Sequence, residues 1–351
     1  MSCASVTIDA GVLVVPGRGA APDDAYRYVE TLLDWSKLLN EPWIAVSMSE
    51  RSAESLVVDD LYPLRMKLQR LFSQHGIVEY DVNTVSSVID RILTHTPSFE
   101  TYFHVRDVLK EDISTTPDIL QLSSGGCLQS DLARCVVLIA ILRAHCGKDI
   151  LNHALILRIS PTRVINVRAM VHAIEHTRDD FDRPIPTPPE YFEGDVLTCD
   201  DFRSLLDCID ESAVLKNAID DAGVEIAIRI ALYKSRLALA LDPDWDDVSV
   251  WCMGAQFGPR IRNCCLDAPM SFASSALRAL AYAIDKQNLA AVHALRTGSA
   301  GNNPQRRRTI DDAKAWRRDI DRDYHLHYWE LPEGNIEFAS VGPHDDFSIP
   351  D

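Results

Sequence analysis

Residues 323–351 read DYHLHYWELPEGNIEFASVGPHDDFSIPD and set His325, His327 and His344 near Trp329 and Phe338. Imidazoles exchange protons near neutral pH. Just upstream, residues 296–322 hold eight Lys/Arg against four Asp/Glu, among them Arg306, Arg307, Arg308, Arg317 and Arg318. Guanidinium forks match phosphate oxygens, and an indole offers a nucleobase a stacking platform. Cleaving a phosphodiester without metal needs a base, an acid and a cation on the phosphate. His325, His327 and His344 supply the first two, with Arg317 and Arg318 beside them. Arg306, Arg307, Arg308 and Trp329 then bind substrate. Two other readings stay open. A His-x-His pair on one strand face also suits zinc, with His344 as a third ligand. Alternatively the imidazoles pack with Ser340 as partner, and the arginines pair with Asp311, Asp312, Asp319 and Asp321.

A second set is acidic: Asp9 in VTIDAGVLVV, Glu50 and Glu54 in AVSMSERSAESL, and Asp131 in SDLARCVVLIAILRAHC. Oxygen ligands of this kind hold Mg²⁺ or Mn²⁺, and paired ions activate water at a phosphodiester. Asp131 reads equally well as a helix-start residue favoured by the helix dipole. Gly125-Gly126 before that helix reads as a turn, with phosphate cradling as the alternative.

These residues need elements to position them. Alternation on either side of Pro332–Asn335 predicts a β-hairpin. Pairing Leu331 with Ile336 puts Trp329 opposite Phe338, His327 opposite Ser340 and His325 opposite Gly342. One face then carries Leu326, Tyr328, Ala339 and Val341 toward a core, and the other carries the imidazoles and aromatics. The basic stretch 309–322 reads as a helix leading into the hairpin. In the first half, strands at 5–15, 43–47 and 154–159 alternate with helices at 23–39, 47–56 and 131–146, with two or three more helices over 62–110. Such alternation favours a parallel sheet flanked by helices. The proline-rich, acidic stretch 177–195 reads as a junction. This gives an α/β domain over 1–176 and a mainly helical α+β domain over 196–351.

The first-half motifs resemble the PIN-like metal-dependent nuclease domains. The resemblance implies that Asp9, Glu50, Glu54 and Asp131 converge at the carboxyl end of a parallel sheet around Mg²⁺ or Mn²⁺. A departure is the missing fourth acid, since LILRISP presents Arg158 instead. The last 45 or so residues resemble the RelE/ParE toxin fold, which implies metal-free RNA cleavage and a setting in toxin–antitoxin or antiviral defence.

The formal charge of −17 argues against a protein that coats nucleic acid by general electrostatics. The charge is uneven, since residues 177–247 hold 7 Lys/Arg against 18 Asp/Glu. Nucleic acid, RNA ahead of DNA, is therefore expected at the local basic patch. The nine cysteines include no CxxC pair and read as reduced thiols. No signal peptide and no membrane-length apolar run is legible, so the chain reads as soluble and cytoplasmic. The expectation is a nuclease-like effector cleaving phosphodiester bonds. The alternative is a non-catalytic subunit of a multi-component complex, docking partner proteins through its acidic middle and basic stretch.

Overall fold

The computed structural model describes residues 2–123, 125–178, 181, 188, 190–245, 251–298 and 303–351. The chain divides into two compact units, Met1–Ile209 and Asp210–Asp351.

Unit 1 is built on a six-stranded sheet of β1 (Ala4–Ile8), β2 (Ile44–Met48), β3 (Val105–Thr116), β4 (His153–Ile156), β5 (Val164–His176) and β6 (Glu190–Cys199). The order is β2-β1-β4-β6-β5-β3. The pairs β2–β1, β1–β4 and β4–β6 are parallel, while β5 and β3 join antiparallel. All five residues of β1 are buried, as a strand covered on both faces requires. The expected strand 5–15 stops at Ile8, because the Asp9 carboxylate accepts the Gly11 amide and turns the chain into a 3₁₀ helix, Ala10–Leu13. Helix Gly126–His145 is apolar on every side from Leu132 to Leu142 apart from Arg134, and it packs on β3, β5 and β6. Val136, Val137, Ile139 and Leu142 are essentially inaccessible there, each contributing roughly 1.5–3 kcal/mol by burial.

The expected junction at 177–195 is corrected. Glu190 pairs with Val171 and Asp195 with Asn166, so the proline-rich stretch links two neighbouring strands of one sheet. Residues 179–180, 182–187 and 189 of that stretch lie outside the described residues. The alternating residues of β5 bury Ile165, Val167, Ala169 and Val171 on one face, a strand signal that the composition of the following segment obscured.

Unit 2 carries a mixed five-stranded sheet of β7 (Trp251–Met253), β8 (Val292–Ala294), β9 (Lys314–Asp319), β10 (Tyr324–Glu330) and β11 (Ile336–Pro343). Its order is β7-β11-β10-β9-β8, with only β7–β11 parallel. Helices Glu211–Lys216, Asp221–Ala238, Phe257–Asp267 and Phe272–Ile284 accompany it. The expected hairpin is present, turning at Gly334, whose φ of 91° favours glycine. The expected basic helix is not: Arg317 and Arg318 sit on β9, paired to β10. Sheet pairing places alternate residues of 314–319 on two packed faces, which overrides the helical reading.

Among the described residues no helix is long and apolar enough to cross a membrane. All nine cysteines are free, as the sequence reading of reduced thiols expects, and Cys252 is exposed.

Candidate functional site

In unit 1, β1 has parallel neighbours on both sides, β2 and β4. The chain leaves β1 toward one side and returns on the other. In open α/β sheets such a reversal opens a crevice beyond the carboxyl ends of the strands. A cavity of about 310 Å³ lies here, lined by Asp9, Arg27, Tyr28, Leu132 and Arg158 among others. That volume is at the lower end of the range for small-ligand sites.

Asp9 is held at both its backbone and its carboxylate. Its amide donates to Ile156 O at 3.0 Å, which ties it to the end of β4. Its carboxylate accepts the Gly11 amide at 2.9 Å. A Cβ on Gly11 would lie 2.5 Å from Asp9 Oδ2, so the close approach depends on glycine. The residue is half-buried, with part of its surface in the cavity and its carboxylate hemmed in by protein. Burial, reinforced by the negative charge of Asp131 and opposed by the Gly11 amide, pushes its pKa up to about 7. A carboxyl with that proton affinity is half-ionised at neutral pH, as a general acid or base requires. Arg158, on the loop after β4, donates to Val14 O at 3.3 Å and is exposed. Arg27, on helix Pro22–Leu38, contacts Asp200 at 3.0 Å. Both residues line the cavity together with Asp9. Arg158 stands where the sequence showed only a missing acid.

Asp131 lies in the second turn of helix Gly126–His145 and is not its cap. The cap is Asp59, whose carboxylate accepts the amides of Cys127 at 3.2 Å and Leu128 at 2.8 Å. The phosphate-cradle reading of Gly125-Gly126 fails for this reason, because an internal carboxylate already holds that helix end. Asp131 accepts the Ser49 hydroxyl at 2.8 Å and Arg134 Nε at 3.1 Å. Arg134 also donates to Ser49 Oγ at 2.7 Å, to Arg106 O at 3.1 Å and to Glu100. Glu100, unremarked in the sequence, is buried and accepts the Glu50 amide at 2.9 Å. Its only sequence signal is an acid inside the aromatic segment FETYF.

The four expected metal ligands therefore do not form one donor set. Glu50 and Glu54 present exposed side chains. Asp131 is engaged by a guanidinium and a hydroxyl, so an intramolecular cation already balances the buried acids. Among the described residues no group of three or more His, Cys, Asp or Glu is placed to hold a metal. These residues do not fit Mg²⁺ or Mn²⁺.

In unit 2 the expected catalytic residues are brought together in part. His327 lies opposite Ser340 and Arg317, and His325 opposite Gly342 and Asp319. The His344 ring packs on His325 with centroids 4.3 Å apart. Arg318 is turned to the other face, buried, with its guanidinium over the Tyr282 ring and donating to Gln287 O at 2.8 Å. His325 and His327 are fully buried rather than presented to solvent. Burial and the nearby Arg317 lower the His325 pKa, and burial brings His327 down to about 4 although Asp346 opposes the shift.

The register explains the aromatic residues. Pairing holds as expected from His325 to His327, then a β-bulge at Ala339 shifts it, so Tyr328 faces Phe338 and Trp329 faces Glu337. Phe338 thus packs beside Phe257, at 5.4 Å between centroids. Trp329 is 1% exposed and donates its indole N–H to Pro350 O at 2.8 Å, so it is a core residue and not an open platform. The expected phosphate-binding arginines are largely engaged. Arg307 pairs with Asp312, and Arg308 is buried between Asp311 and Glu337. Arg306 donates to Phe347 O at 3.3 Å.

No family model, curated protein or solved structure matches the chain.

Proposed function

We propose that unit 1 is a nuclease-like acid–base site that cleaves a phosphodiester in the cavity at the ends of β1 and β4. The observation that carries this reading is Asp9: its carboxyl has a proton affinity near neutrality, and the residue lines a ligand-sized cavity together with two arginines. As a carboxylate, Asp9 accepts a proton from the attacking hydroxyl or water. As an acid, it returns the proton to the leaving oxygen as the P–O bond breaks. Arg158 and Arg27 stabilise the charge that develops on the phosphoryl oxygens. The test is hydrolysis of a chromogenic phosphodiester and of short RNA and DNA strands by the full chain and by Asp9→Asn. Cleavage by the full chain, lost in Asp9→Asn while Glu54→Gln retains it, supports the reading. Cleavage undiminished in Asp9→Asn, or no cleavage of any of these by the full chain, overturns it.

A second reading follows from the Glu100–Arg134–Asp131 cluster. Its internal guanidinium neutralises Asp131, one of the four acids that the PIN-like resemblance reserves for metal. That favours a non-catalytic subunit, in which the cavity binds ligand without turnover. Ligand-induced stabilisation without cleavage is the outcome that selects it.

A further inference from the structure

After β11 the chain forms no further strand or helix, yet residues 344–351 are held across the imidazole-bearing face of the unit 2 sheet. Pro350 O accepts the Trp329 indole N–H at 2.8 Å, and Ile349 packs into the Leu295, Ala313, Ala315, Trp329 and Ala339 cluster. The Arg317 guanidinium lies 5.1 Å from the centroid of the Phe347 ring. Arg306 reaches the Phe347 carbonyl, and Arg260 lies 3.8 Å from the Asp346 carboxylate. The strap carries three acids, Asp345, Asp346 and Asp351. The strap meets Arg260 and Arg306, and the face beneath it carries Arg317, His325 and His327, offset by Asp319 at 3.0 Å from His325. Arg317 Nη1 and His325 Nδ1 are buried there with no hydrogen-bond partner, while the His327 ring meets the Ser348 backbone of the strap.

The arrangement is that of a ligand held by its own protein. An aromatic ring on a guanidinium, next to a carboxylate before a second guanidinium, copies a base stacked on arginine beside its phosphate. We infer that this face binds a short single-stranded nucleic acid, and that residues 344–351 occupy it as an intramolecular substitute. Phe347 stands for the base and Asp346 for the phosphate. Displacing the strap removes the Asp346 carboxylate from Arg260 and frees the Arg317 plane. The inference is independent of the unit 1 reading, since it concerns binding by unit 2 and needs no cleavage.

Two release variants test it. One ends at Pro343. The other, Asp346→Asn with Phe347→Ala, keeps Ile349 and Pro350 in place, and Phe347 is itself 51% exposed. Fluorescence anisotropy of labelled short single-stranded RNA and DNA is read against each variant and the full chain. The expected result is binding at least about tenfold tighter than the full chain, weakening as salt rises because phosphate contacts release counterions. Arg317→Ala in the same background returns it to the full-chain level. The inference is overturned if a release variant with unchanged hydrogen exchange in β9–β11 binds no more tightly than the full chain. It is equally overturned if Arg317→Ala leaves the gain intact. Should the shortened chain lose protection in β9–β11, the double substitution decides alone.

Discussion

Asp9→Asn is expected to stabilise unit 1 while removing its activity, and the stabilisation is expected to grow with pH. The Asp9 carboxyl has a pKa of about 7 in the fold against an ordinary 3.8. Between those values the folded chain holds a proton that the unfolded chain has released, so stability falls as pH rises. The penalty is absent below the lower value and complete above the upper one. At 1.36 kcal/mol per pKa unit the full penalty is roughly 4 kcal/mol, reduced by whatever solvent the cavity lends the carboxylate. Removing the charge should therefore stabilise by roughly 1–2 kcal/mol at pH 5 and roughly 3–4 kcal/mol at pH 8. The amide oxygen of the variant still accepts the Gly11 N–H, so the turn after β1 persists. Because the chain has two units, one melting temperature does not isolate this effect. Hydrogen exchange of β1 and β4 amides at the two pH values, wild type against variant, reads it directly. A change of equal size at both pH values, or destabilisation at pH 8, would refute the reasoning.

Other perturbations separate the parts of the structure. Gly11→Ala places a Cβ against Asp9 Oδ2 and should displace the carboxylate, costing about 1–3 kcal/mol and lowering activity as much as Asp9→Asn does; unchanged activity would show that the close approach is immaterial. Arg134→Ala leaves Glu100 and Asp131 buried without their cation and should cost about 3–5 kcal/mol by urea denaturation, with a smaller loss when Glu100→Gln is added. His327 has a pKa of about 4 against an ordinary 6.5. A buried base with lowered pKa loses stability as pH falls, so β10 protection should weaken between pH 6.5 and 4 by up to roughly 3 kcal/mol, and His327→Phe should flatten that dependence. Leu326→Ala on the helix-covered face should cost about 2–5 kcal/mol at every pH, measured by the same exchange.

What was legible in the sequence was local. The strands around Asp9 and His153, the buried helix after Gly126 and the terminal hairpin all carried their periodicity openly, and the His325–Gly342 and His327–Ser340 pairings follow from the turn alone. The bulge at Ala339 was not legible, because one extra residue leaves the alternation of each flanking segment unchanged. It moved Phe338 to the other face. The stretch 309–322 suggested a basic helix, and pairing of the arginines with Asp311 and Asp312 was legible as an alternative, whereas the Arg308–Glu337 pair and the place of Arg317 and Arg318 on β9 are long-range outcomes. Asp9 was visible because an acid interrupts an apolar run. Its partner cavity, the Gly11 contact and the Glu100–Arg134–Asp131 cluster join residues up to about a hundred and fifty positions apart, and no spacing rule reaches them.

The most direct measurement is the ionisation of Asp9 itself, read from the ¹³Cγ carboxyl shift and assigned by its disappearance in Asp9→Asn. A titration midpoint near 7, falling in Asp131→Asn as one repelling charge is removed, is the expected result. A midpoint near 4, unmoved by Asp131→Asn, would show an ordinary solvated carboxylate and contradict its assignment as the proton-exchanging group of this cavity.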